Sequence, residues 1–190
     1  MEHPMKTTGD VVVFLQEQHR EVKLLLEQVS ETKGKAREKA FGQLRRAMAV
    51  HETAEEEIVH PAARRHLPNG AAIVAARLRE EHAAKRALSE LEDLDVDSRE
   101  FETTFQKLRA AVIAHAESEE REEFYQLPDE FTEEQLLHLR KAAELAESIA
   151  PTHAHSGLES PAENLLVGPF ATMVDRLRDA LSGEGPRDRI

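Results

Sequence analysis

This chain of 190 residues contains no cysteine. Disulfides, iron–sulfur clusters, thiolate zinc sites and cysteine nucleophiles are thereby excluded, and the composition suits a reducing compartment. No apolar run approaches the roughly 20 residues needed to span a bilayer. The opening stretch Met1–Asp10 has no signal-peptide pattern, so a cytoplasmic protein without a membrane partner is expected. Positive charge is in deficit: 25 basic against 37 acidic side chains leave a net charge of −12, which argues against a nucleic-acid backbone as partner. Strand signals are missing too. No segment alternates with period two and β-branched enrichment, so the chain reads as all-α, and it is long enough to bury a core of its own.

What is present is a repeat. Residues 41–56, FGQLRRAMAVHETAEE, and residues 105–120, FQKLRAAVIAHAESEE, carry Phe, Leu-Arg, His and Glu-Glu in one register, 64 positions apart. Each copy has an upstream echo ending in a histidine, Leu15–His19 before the first and Leu78–His82 before the second. A two-helix unit has been duplicated. His51 with Glu55, and His115 with Glu119, are i,i+4 neighbours that share one helix face. If each unit is an antiparallel hairpin, His19 and His51 both lie roughly 20 Å from the connecting loop, and His82 and His115 nearly so. Four imidazoles and two carboxylates then converge at mid-bundle. Leu44, Met48, Leu108 and Val112 place them on the buried side, where unpaired polar groups cost on the order of several kcal/mol. Either a metal centre or a metal-free His–Glu network must satisfy them.

Punctuation sets the helices. Asp10 caps the first, which runs to about Thr32, and Lys33-Gly34-Lys35 is the turn. A second helix extends from Ala36 to His66 with a bend at Pro61, where an i→i−4 bond is lost, and Leu67–Gly70 ends it. Asn69 caps a third helix to Asp93, and Asp97 with Glu100 opens a fourth that Pro128 stops near Leu127. Thr132 and Gln135 form a capping box for a fifth helix ended by Pro151. A linker over 151–160 precedes a start at Ser160-Pro161 and an apolar stripe from Phe170 to Leu181, which packs back on the bundle or across a homodimer. The division expected is a four-helix domain over 10–128 and a helical extension over 129–190.

Imidazole and carboxylate without thiolate suit iron or manganese better than zinc, and two carboxylates from facing helices can bridge two ions. The series of a lone His, His-x3-Glu-Glu, a lone His and His-x3-Glu-Glu, one element per helix, resembles the hemerythrin-like proteins with the HHE cation-binding domain. The resemblance covers roughly residues 10–128. It implies an antiparallel up-down four-helix bundle in which His19, His51, His82 and His115 are terminal ligands while Glu55 and Glu119 bridge two non-haem irons. It also implies a ligand such as dioxygen, hydrogen peroxide or nitric oxide. The departures point away from oxygen carriage: oxygen-carrying members have His-x3-His on the third helix, whereas Leu78 and Arg86 flank His82 at that spacing. They also bridge with an aspartate five residues after the fourth-helix histidine, where this chain offers Glu119 at four. Unfilled positions are open to substrate or to a spare carboxylate such as Glu56, Glu81 or Glu120, and Arg86 is placed to steer an anionic peroxide or to pair with a glutamate. His60 joins only if the bend at Pro61 swings it inward, because nine residues beyond His51 is about 180° around an ideal helix. His66, His138 and His153 read as surface histidines, and Tyr125 as a packing residue. The function expected is a di-iron oxidoreductase that decomposes peroxide or handles nitric oxide, with an oxygen or iron sensor signalling through the C-terminal helices as the alternative.

Overall fold

Asp10 begins the first helix as its sequence implies: its Oδ1 accepts from the Val13 N–H at 2.9 Å and opens α1, Val11–Glu31. The structure, a computed structural model, describes residues 9–149. The linker over 151–160, the start at Ser160, the stripe from Phe170 to Leu181 invoked for a dimer, and His153 lie outside the described residues. Gly34, with φ of 54°, makes the first turn and starts α2, Gly34–Ala54, two residues early. Its N–H donates to the Asp97 carboxylate at 3.0 Å. With Asp97 used across the molecule, the cap of α5, Arg99–Glu119, falls instead to Ser98, whose Oγ accepts from Phe101 N–H at 3.0 Å. Asn69 also departs from expectation. It lies in the left-handed region at φ 58°, so only its backbone carbonyl caps α4, Gly70–Glu92, accepting from Ala72 and Ile73.

Gly70 shows why that turn is so tight. A Cβ there would stand 2.2 Å from the Ala63 carbonyl oxygen, which is backbone and cannot swing aside. Gly70→Ala is expected to destabilise the protein by about 2–3 kcal/mol through forced backbone movement, measurable by urea unfolding of the variant beside the wild type. A loss under about 0.5 kcal/mol would show that the turn yields to a side chain at this position.

The bend expected at Pro61 takes another form. The second helix passes through a π turn at Glu55–Val59, in which His60 N–H donates to the Glu55 carbonyl, before resuming as α3, His60–His66. The duplicate half does the same at Glu120–Phe124 after α5. There Tyr125 stands where the first copy has Pro61, so proline is not the common cause. Pro128 does not stop the fourth helix. It sits in the first turn of a short α6, Leu127–Glu130, where a missing N–H is harmless. The capping box at Thr132 and Gln135 is present, with bonds of 2.9 and 3.3 Å, and opens α7, Glu133–Ile149.

Helix α1 packs on α2, α3 on α4, α4 on α5 and α5 on α1, closing an up-down four-helix bundle. Helix α7 lies outside, against α1, α2 and the first π turn. The interior is divided. One apolar cluster, including Leu26, Leu44, Leu88, Phe101, Phe105 and Leu108, fills the end near the two hairpin turns. The other, including Leu15, Ile58, Val59, Phe124, Leu127 and Leu139, fills the opposite end and takes in α7. Arg37 ties the turn end shut, donating to the Thr32 and Val96 carbonyls and to Glu102. Between the clusters runs a belt of buried histidine and glutamate. Among the described residues there is no strand, and no helix is long and apolar enough to cross a membrane.

Candidate metal centre

The belt forms because each helix interrupts its apolar stripe at the same height. In α1, His19 sits between Leu15 and Val22; in α2, His51 and Glu55 follow Met48; in α5, His115 and Glu119 follow Val112. All are buried except His115, which is 14% exposed. The rings of His19 and His51 meet edge to face at 4.8 Å, so the depth match between the first two helices holds. Phe124 stacks on His19 from below at 5.5 Å.

Helix α4 is where expectation and structure part. His82 is exposed and Glu81 takes the inward position. The buried series of that helix is Val74, Arg77, Glu81, Ala84, Leu88 and Leu91, a three-four spacing that includes 81 and leaves 82 about 100° off the stripe. Arg86 is exposed as well, so the peroxide-steering role suggested for it has no basis in its position. His60, by contrast, is buried in the cluster. A π turn absorbs one residue without advancing the helix, so His60 lies about 80° from His51 in place of 180°. Its Nε2 is 2.8 Å from Glu81 Oε1 and its Nδ1 is 2.9 Å from Glu123 Oε1. Glu123 was missed altogether in the sequence; its signal is an i+4 spacing from Glu119. Glu56 pairs with Lys85 and Glu120 with His19 at 2.8 Å, so both stand beside the cluster. His66 packs on Phe131 and His138 is half-buried on α7, both away from it. Tyr125 is 55% exposed, which removes it from the interior packing expected of it.

Three of the histidines share one arrangement. Nδ1 of His19 is held by Glu120 at 2.8 Å, that of His51 by Gln18 at 2.8 Å and that of His115 by Glu80 at 2.9 Å. Each leaves Nε2 facing inward, 3.2–3.3 Å from a carboxylate oxygen of Glu55 or Glu119. Among the described residues these Nε2 atoms have no hydrogen-bond partner, nor do either oxygen of Glu55 or Glu119, or one oxygen each of Glu81 and Glu123. An unsatisfied buried polar atom costs about 1–3 kcal/mol, and so many pointing at one another fit cations placed between them. Outer partners on Nδ1 are what orient metal-binding imidazoles elsewhere. The donors fall into two groups that share Glu55 and Glu119: His19 and His51 complete one, Glu81 and His115 the other. His60, Glu119 and Glu123 form a third, overlapping group.

Without metal, protons divide unevenly among these groups. Burial, reinforced by the charge of Glu119, holds the Glu55 carboxyl well above its ordinary range. Burial also works against Glu119, but the close approach of the His19 ring and the charges of His115 and His19 outweigh it and bring Glu119 down to about 2. Two carboxylates in one dry site cannot both ionise freely, and the histidines decide which does. Burial depresses His51 well below its usual value, helped by His19. His60 goes the other way, since bonds to Glu123 and Glu81 overcome burial and keep it protonated. Beside the cluster, burial pushes Glu52 up to about 8, while the burial of Glu56 is outweighed by its neighbours Glu81 and Lys85, which lower it. The Lys85 ammonium thus finds its charged partner at neutral pH in Glu56.

The two flanks differ in space. A cleft of about 250 Å³ between α4 and α5 reaches Glu81 and His115, and Ala83, Ala84, Ala111 and Ala114 line it. The flank at His19 and His51 holds about 20 Å³.

Comparison with solved structures gives the fold a counterpart. A crystal structure of a hemerythrin HHE cation binding domain-containing protein from Mycobacterium kansasii superposes with a TM-score of 0.64 at 19% identity, covering 88% of this chain and 98% of that one. Comparison with curated protein sequences finds no match. The family model described as the hemerythrin HHE cation binding domain matches residues 10–127, which contain every donor of the belt. The chain belongs to the hemerythrin HHE cation-binding domain family.

Proposed function

We propose that the domain holds two iron ions, bridged by Glu55 and Glu119, and decomposes hydrogen peroxide. The observation that carries this reading is the asymmetry of the two donor groups. His19 and His51 close one side, whereas Glu81 and His115 border an open cleft with small apolar walls. Imidazole with carboxylate and no thiolate favours iron, and shared carboxylates favour two ions over one tetrahedral zinc. When bound, the iron pair supplies the electron exchange by which two peroxides become one dioxygen and two waters.

The chain's residues do the rest. Glu120, Gln18 and Glu80 hold the Nδ1 protons of His19, His51 and His115, leaving each Nε2 free to bind. The alanine-lined cleft admits a molecule the size of peroxide beside Glu81. His60 keeps a proton at Nε2, 2.8 Å from Glu81, the carboxylate that borders the cleft. A second reading, an oxygen or iron sensor, is favoured by one observation: His51 is linked through Gln18 to Glu147 on α7, outside the bundle.

Elemental analysis of protein purified without chelators is expected to give close to two irons per chain, with oxygen release from peroxide well above metal-free protein and free-iron controls. Stoichiometric zinc alone would remove iron from the reading. Loaded protein no faster than the controls, yet forming a long-lived oxygen adduct, would make it a carrier or sensor.

A further inference from the structure

Of the three histidines with an outer partner on Nδ1, His19 and His115 use carboxylates, which only accept. Their protons must sit on Nδ1. His51 differs, because its partner is the side-chain amide of Gln18, which has an accepting end and a donating end. Left alone, such an amide can turn over and offer its NH₂ group to His51 Nδ1. The imidazole would then accept at Nδ1 and carry its proton on Nε2, the atom that faces Glu55 at 3.3 Å and would have to bind the metal.

What prevents this is 129 positions away. Gln18 Nε2 donates to Glu147 Oε1 on α7. A carboxylate takes only the donating end of the amide, so Oε1 is left for His51 and the ring is fixed with its proton on Nδ1. Helix α7 is no part of the four-helix bundle, yet it is seated on α1 and α2 through Leu139, Ala143 and Ala146. We propose that Glu147 is a positioning residue for the metal centre, setting the tautomer of His51 through Gln18 so that seating of α7 and metal binding support one another. This rests on the metal-binding reading above for its second half, while the tautomer stands without it.

Three substitutions separate the idea from a packing role. Glu147→Lys supplies only donors and should reverse the Gln18 amide; Glu147→Leu and Glu147→Gln remove the constraint, the first with the polar partner and the second with shape and polarity kept, because an amide offers both ends. Nitrogen-15 NMR of metal-free protein reads the His51 ring directly. The proton is expected on Nδ1 in the wild type, divided in Glu147→Gln and Glu147→Leu, and on Nε2 in Glu147→Lys. Anaerobic competition for Fe(II) against a chromophoric chelator should follow that order, with Glu147→Lys weaker than wild type by about 10-fold or more, in the range seen when outer partners of metal ligands are lost. An unchanged His51 tautomer in both Glu147→Leu and Glu147→Lys would overturn the proposal, whatever happens to melting temperature. A changed tautomer with Fe(II) affinity equal to wild type would overturn the coupling to metal. Wild type that takes up no Fe(II) would sink the metal reading but leave the tautomer result to decide the role of Glu147.

Discussion

His51→Ala and Glu119→Ala are expected to empty the centre, while His82→Ala leaves it full. His51 and Glu119 stand in the same donor group with unpartnered atoms turned inward, and His82 is exposed on the outer face of α4. Losing an outer partner alone typically weakens metal binding 10- to 100-fold, so loss of a donor should exceed about 100-fold. Glu81→Ala belongs with the first set. Iron content after gel filtration sorts them: an intact centre in Glu81→Ala together with an empty one in His82→Ala would restore the symmetric four-histidine arrangement that the sequence repeat implies.

Removing the metal should have the largest effect on stability, and should reverse the sign of one substitution. Ligand held at a thousand times its dissociation constant stabilises a fold by about 4 kcal/mol per site, so two ions together are worth about 8 kcal/mol. Chelation is therefore expected to lower the melting temperature by tens of degrees. In the loaded protein Glu55→Gln is expected to remove one of the two proposed bridges and to destabilise. In the metal-free protein it relieves a cost, because Glu55 must hold a proton in the fold that it would lose in the unfolded chain. A carboxyl raised above its unfolded value of 4.5 contributes fully below pH 4.5, and that contribution is lost as pH rises toward the folded value. The metal-free variant should match wild type near pH 4 and exceed it by at most about 3 kcal/mol at pH 7, the cost of protonating an ordinary carboxyl there. Denaturant melts at the two pH values, with and without chelator, check both signs; a metal-free variant weaker than wild type at pH 7 would mean Glu55 is ionised in the fold.

The repeat made much of this legible. His51 with Glu55 and His115 with Glu119 lie where i,i+4 spacing puts them, and the equal depth of His19 and His51 follows from counting rise along a hairpin. Asp10 and the Thr132–Gln135 box also read true, because a cap is a local contact that four or five residues specify. Helix phase was harder. The echo between Leu15–His19 and Leu78–His82 aligned two histidines by similarity, but burial follows the apolar stripe, and Val74, Ala84, Leu88 and Leu91 had already placed Glu81 on it. His60 was not readable by α-helical spacing, since the π turn before it leaves no pattern of period 3.6, and Glu123 had only its i+4 spacing from Glu119 to mark it. Where residues compete for a distant partner, as Asp97 does for Gly34, local rules choose the wrong cap.

The two π turns also decide where this chain can change length. Each takes in one residue without altering the phase of the rod beyond it, so a deletion within 56–59 that closes the turn to α geometry leaves Ala62, Ala63 and Leu67 facing inward as before. A deletion elsewhere in the same rod rotates everything after it by about 100° and turns the apolar stripe to solvent. Most proteins absorb insertions and deletions in surface loops, far from their conserved interiors. In this bundle the tolerant points within the rods lie in the helices themselves, directly after the buried glutamates Glu55 and Glu119.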